Sequence, residues 1–200
     1  LRRLRRETSA DQGGRFFEAA VAGDRSNVTE GFRLRPATTA DIEPMRALER
    51  RAAQKFREVG YDFCADGPVR EAAEHQRVMT EGQTLIAESP AGAAAGFAMF
   101  EPLDGAVHLV EIDVDPDFQN RGVARALIAA GEDWARDGGF DEMTLTTYRD
   151  VPWNAPFYRR LGFVAFDPEP ARKGLLKTIE QEAAWGFAFA PRTPMRKRLI

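Results

Sequence analysis

The chain has 200 residues, 44% of them hydrophobic and 30% charged, the proportions of a soluble globular protein with material for one substantial core. Its 28 basic and 31 acidic residues leave a formal charge of −3, which argues against a nucleic-acid-coating surface, and no stretch approaches the roughly eighteen uninterrupted apolar residues of a membrane span. A lone cysteine, Cys64, excludes an internal disulfide and fits a reducing cytoplasm; with two histidines it argues against a zinc cluster, so no metal is expected.

Residues 1–30 open with LRRLRR and then mix acidic and small polar residues. The ETSADQGG that follows is the opposite of a leader's apolar core, so the segment reads as a flexible extension of a single domain spanning 31–200. Phe32 and Leu34 alternate with arginines in a short strand closed by Pro36. Thr38 and Asp41 have the spacing of a capping box, and Ile42, Met45, Leu48, Ala52 and Phe56 give residues 40–57 a helical apolar face. A loop over 58–70 and a helix over 70–81 follow. Strands at 84–89, 96–101 and 106–114, joined by hairpin-length turns, predict an antiparallel meander. A helix after Pro116, stopped by Gly138 and Gly139, leads to a strand at 142–148 that the helical crossover makes parallel to its predecessor. A short helix at 155–161, a strand at 163–166, a helix at 172–185 and a last strand at 192–199 complete an α/β fold. Pro194 is expected to keep part of that last strand out of a sheet interior.

The segment EIDVDPDFQNRGVAR at 111–125 carries the strongest chemical signal. A strand ends at Val114 and a helix starts near Gly122, so free backbone amides backed by the helix dipole form an anion site. Gly122 permits close approach of a phosphate, and Arg121 and Arg125 add positive charge. The sequence contains no G-x-G-x-x-G, no Walker-type phosphate loop and no G-x-S-x-G elbow.

Gln119-Asn120-Arg121-Gly122-Val123-Ala124 resembles the Q/R-x-x-G-x-G/A signature of the GNAT superfamily of N-acetyltransferases, and Phe157-Tyr158-Arg159-Arg160-Leu161-Gly162-Phe163 resembles its FY-x-x-L-G-F segment. The similarity spans roughly 31–167, with 192–199 similar to the closing strand; the helix at 172–185 looks like an insertion. The resemblance implies a mixed central sheet with antiparallel strands 1–4, then a parallel splayed strand pair, flanked by helices. It implies acetyl-CoA as co-substrate, with the backbone of Ile112, Asp113 and Val114 pairing with the pantetheine arm. The amides of Gln119, Asn120, Arg121, Gly122, Val123 and Ala124 would hold the pyrophosphate. The implied reaction is acetyl transfer to a primary amine by direct attack in a ternary complex. The acceptor is a small-molecule or peptide amine, and a homodimer is left open. A catalytically inactive CoA-binding sensor or interaction module is the alternative.

Tyr158 stands at the family's position for the general acid that protonates the leaving thiolate. Glu111 is the first choice of base, on one strand face with Asp113. His108 falls on the opposite face unless a bulge intervenes, and a water chain with no single basic residue is the main rival. Asn154 either contacts the cofactor or caps the short helix. Trp153, Tyr148, Tyr61 and Phe63 are candidate acceptor-pocket walls, each also explicable as core. Cys64 has no basic sequence neighbour to make it a nucleophile.

Overall fold

A computed structural model describes residues 31–184 and 191–199, so the expectation of a flexible extension over 1–30 lies outside the described residues. The elements run β1 (Arg33–Pro36), α1 (Ile42–Ala53), α2 (Asp62–Ala65), α3 (Ala72–Glu81), β2 (Gln83–Glu88), β3 (Ala94–Leu103), β4 (Ala106–Val114), α4 (Val123–Asp137), β5 (Glu142–Tyr148), α5 (Ala155–Arg160), β6 (Val164–Ala165), α6 (Lys173–Ala184) and β7 (Arg192–Arg198). Among the described residues the sheet order is β1-β2-β3-β4-β5-β7-β6, with β4 and β5 the one parallel pair. The mixed α/β sheet expected from the resemblance is the fold observed.

Helices cover both faces of the sheet. On one face Leu85, Ala98, Phe100 and Leu109 pack against Leu127 and Ile128 of α4. On the other, Ile86, Phe97 and Met99 meet Met45 and Leu48 of α1 and Val78 of α3. Each buried Val, Leu, Ile, Phe or Met side chain among these contributes about 1.5–3 kcal/mol of transfer free energy. Gly131 lets α4 close onto the sheet, since a Cβ there would lie 2.2 Å from the Phe100 ring.

Several expectations are corrected. The helix expected over 40–57 is α-helical only to Ala53 and tightens into a 3-10 turn over Gln54–Val59; α2 then interrupts the expected loop. A 3-10 turn at Pro116–Phe118, not the helix itself, follows Pro116. β7 pairs with β5 along its length but with β6 only at Met195 and Arg196, so its stretch 192–194 stays outside the sheet interior, as expected. Pro194 is tolerated there because it contributes only its carbonyl, which accepts the Phe166 amide at 3.2 Å.

The strand that matters most is irregular. Met99 pairs with Glu111 but Phe100 pairs with Leu109, so Val110 is an extra residue, a β-bulge. Val107 and Leu109 before it, and Ile112 and Val114 after it, all join the α4-side core, while Val110 packs on the α1/α3 side. The bulge therefore puts His108, Glu111 and Asp113 on one face, which uninterrupted alternation does not.

Candidate active site

β4 and β5 pair only from Val107↔Met143 to Leu109↔Leu145. Beyond Leu109 the two strands part, and among the described residues the β5-facing edge of β4 from Val110 to Val114 has no strand partner. The gap opens a cleft of about 1560 Å³, lined by that edge, by Leu145 to Tyr148, by the loop before α4, by α5 and by one side of α6. α6 is fixed at both ends: the Asp104 carboxylate accepts the Gly174 and Leu175 amides at 3.1 and 2.8 Å, and Glu182 binds Arg192 at 2.8 Å. Thr178, Gln181 and Glu182 thus wall the cleft.

The loop between β4 and α4 is shaped for an anion. Asp115 is buried, its carboxylate taking the Asp117 amide at 3.0 Å and pairing with Arg51. Asn120 (φ 61°) and Gly122 (φ 79°) are both left-handed, and no side chain among the described residues caps α4. Among the described residues, the amides of Asn120 to Ala124 find no backbone carbonyl, and the first turn holds no acidic residue. These are free donors at the positive end of a 15-residue helix. Gln119, Asn120, Gly122, Val123 and Ala124 line the cleft, as do Ile112, Asp113 and Val114. The Arg121 side chain does not; its guanidinium lies over the Phe118 ring. Lys55, a residue the sequence reading missed, lies over Trp153 and donates to Gln119 Oε1 at 2.7 Å.

Two carboxylates and a phenol converge at the opening. The Glu111 side chain, 29% exposed, accepts from Arg70 Nε at 2.9 Å. Burial raises the Glu111 pKa; Arg70 opposes and Glu49 reinforces that shift. Asp113 is pushed up well above the usual carboxylate range by burial and then by Glu111 and Glu49, and its Oδ2 has no hydrogen-bond partner among the described residues. Neighbouring like charges in a poorly hydrated place favour retention of a proton on one of the two. Tyr158 is 8% exposed, its ring edge-on to Phe157 and Phe163, and it lines the same cleft. Burial first, then the charges of Glu111 and Asp113, hold its phenol protonated well above the ordinary range.

His108 shares the face of Glu111 and also lines the cleft. It is 3% exposed, with Nδ1 3.0 Å from Thr144 Oγ1, and burial lowers its pKa to about 4. Asn154 is the residue before α5, yet its side chain makes no cap; its carbonyl takes the Phe157 and Tyr158 amides, leaving the side chain on the cleft. Phe56, Tyr61, Phe63 and Trp153 gather around Tyr148, with Phe56, Phe63, Trp153 and Tyr148 also reaching the cleft. Cys64 lies 3.0 Å from the Tyr148 hydroxyl and burial raises its pKa, the environment of an inert thiol.

Comparison with known proteins agrees with this geometry. Mycothiol acetyltransferase of Clavibacter sepedonicus is 30% identical over 152 residues, covering 74% of this chain and 49% of that protein. The N-alpha-acetyltransferase RimI of Mycobacterium tuberculosis is 31% identical over 134 residues, covering 62% of this chain and 82% of that protein. The chain thus spans about half the length of the mycothiol acetyltransferases it matches. In structure it is similar to the ribosomal-protein-S18-alanine N-acetyltransferase of Escherichia coli, with TM-score 0.61 and 16% identity over 84% of this chain and 94% of that one. The PaiA N-acetyltransferase of Thermoplasma acidophilum, determined in complex with coenzyme A, gives TM-score 0.60 and 14% identity over 84% of this chain and 99% of that one. The acetyltransferase (GNAT) family model matches residues 45–163, more than half of the sequence, and the chain belongs to that family.

Proposed function

We propose that the chain is an acetyl-CoA-dependent N-acetyltransferase acting on a primary amine by direct attack in a ternary complex, with residues 31–200 as the catalytic domain. The observation that carries this reading is the alignment of an open strand edge, Val110 to Val114, with the uncapped amides at Gly122. Residues and ligand fit: the strand edge suits the amide-rich pantetheine arm, and the helix start suits the pyrophosphate.

Glu111, directly or through a water, takes the proton from the acceptor ammonium. The amine nitrogen then attacks the thioester carbonyl carbon, and a β4 amide donates to the oxygen that gains charge. The carbon–sulfur bond breaks, the departing thiolate takes the Tyr158 proton, and the second proton that the nitrogen loses on becoming an amide returns to the Tyr158 phenolate, directly or through water. Because burial keeps the Tyr158 phenol protonated at neutral pH, it is present as an acid when the sulfur leaves. The names of the relatives span a small thiol and a protein N-terminus, so the acceptor is sought among both classes.

Thermal unfolding with acetyl-CoA and with desulfo-CoA tests the cradle. A ligand at about 100 times its Kd adds roughly 2.7 kcal/mol and raises Tm by roughly 5–10 °C in a domain of this size. No shift with either sinks the reading. Thiol release from acetyl-CoA is then followed with alanine-terminated peptides, small thiol-bearing amines and polyamines. Binding with a blank across the whole panel favours the inactive sensor.

A further inference from the structure

We infer that Arg70 is a positioning residue for this site, fixing Glu111 rather than its neighbour Asp113 as the carboxylate that takes the acceptor's proton. The inference rests on the acetyl-transfer reading above. Arg70 lies in the connection between α2 and α3, 41 positions from Glu111, and no sequence motif marks it.

Its grip is unusually complete. The Arg70 amide donates to Glu49 Oε1 at 3.0 Å, and its carbonyl accepts from Arg46 Nε at 2.9 Å. Its Nε donates to Glu111 Oε2 at 2.9 Å and its Nη2 to the Val110 carbonyl at 3.2 Å. Val110 is the bulge residue, so one guanidinium holds both the carboxylate and the backbone irregularity that turns it to the cleft. Asp113, two residues on, receives no such bond: its Oδ2 is buried without a hydrogen-bond partner among the described residues.

The surrounding charges divide in the same way. Glu111 shares its surroundings with Asp113 and His108 from β4, Glu49 from α1, Tyr158 from α5 and Arg192 from β7, the last bound to Glu182 of α6. His75 of α3 stands behind Glu49, its Nε2 3.8 Å from Glu49 Oε2. Glu49 raises the proton affinity of both β4 carboxylates and Arg70 lowers it for both, but only to Glu111 does Arg70 also donate a hydrogen bond. The planar fork is what spans Glu111 Oε2 and the Val110 carbonyl together; an ammonium reaches one of them.

The sign is set by the charge. Without the guanidinium, Glu111 holds its proton to higher pH, so the acid limb of kcat/KM moves upward by about 1–3 pH units, while acetyl-CoA affinity stays within about twofold. The experiment compares Arg70→Gln and Arg70→Lys with the parent, using the best acceptor from the thiol-release panel and carboxyl-carbon NMR titration of Glu111 without acceptor. Arg70→Gln is expected to raise both the limb and the NMR midpoint, and Arg70→Lys to restore most of each. Parent-like values in a folded Arg70→Gln protein overturn the inference. If Glu111→Gln keeps parental activity across the profile, the base assignment falls and the role of Arg70 falls with it; that is distinct from a Glu111→Gln enzyme that is impaired while Arg70→Gln titrates normally. If Arg70→Gln fails to fold, Arg70→Met and the Arg70→Lys midpoint carry the same comparison.

Discussion

The two halves of β4 differ more than most pairs of separate elements. Val107 to Leu109 is buried, with β3 on one side and β5 on the other. Val110 to Val114 is half-buried and has β3 alone. Each half carries ionisable residues on the same face. In the paired half His108 is held by Thr144 and driven to its neutral form, with a pKa of about 4. In the open half Glu111 and Asp113 face a cleft and are drawn toward retaining protons. What separates the two halves is the neighbouring strand: where β5 is present the backbone edge is used up in pairing, and where it departs that edge becomes available to a ligand.

The comparison breaks hardest at the helix that closes the open half. Gly122→Glu places a charge and a longer side chain where the anion should sit, and is expected to weaken acetyl-CoA binding by at least about 100-fold. Gly122→Ala controls for backbone strain, since both variants force a non-glycine residue into the left-handed region at a cost on the order of 1–2 kcal/mol. Isothermal titration on the two proteins separates the terms. Equal losses in both would assign the effect to strain and leave the phosphate unplaced.

Next in size is Tyr158→Phe, which keeps a ring packed on Phe157 and Phe163 and removes only the hydroxyl. A fall in kcat on the order of tenfold to a thousandfold is expected, with acetyl-CoA affinity unchanged, because the interaction exists only as the thiolate leaves. A normal rate in single-turnover measurements would mean that water protonates the sulfur.

Most of the scaffold was legible in the sequence because its signals are local. The strands at 84–89 and 106–114 and the loop at 119–124 follow from alternation, turn residues and one glycine, and the structure has them within two residues. The bulge at Val110 had a signal that alternation alone passes over: Leu109 and Val110 are consecutive apolar residues, and the polar positions change from even at His108 to odd at Glu111 and Asp113. Inserting one residue between them puts all three on one face. Arg70, Glu49 and Lys55 had no comparable signal. They reach the site from α1, the 3-10 turn that follows it and the loop after α2, so their roles depend on tertiary distances that no periodicity encodes.

The smallest expected effect tests the paired half directly. His108→Gln removes the ionisable ring from the site bonded to Thr144 and leaves an amide able to hydrogen-bond there. Because the folded pKa of about 4 lies below the ordinary 6.5, the unfolded chain binds more protons between these values. The stability due to neutral His108 is therefore complete above pH 6.5 and is lost as pH falls toward 4, by about 1.4 kcal/mol per unit and on the order of 3 kcal/mol in all. Urea unfolding from pH 7 to pH 4 should show the parent losing stability faster than His108→Gln. The raised carboxylates Glu111 and Asp113 titrate in both proteins, so the difference between the curves isolates the imidazole. Turnover at pH 7.5 should stay within about threefold of the parent, since a ring with a pKa of about 4 is a weak acceptor for an ammonium proton. Parallel stability curves would show that burial does not suppress the charge. A collapse of kcat with stability intact would make His108 the base and move the chemistry across the bulge into the half of β4 where every strand position is paired.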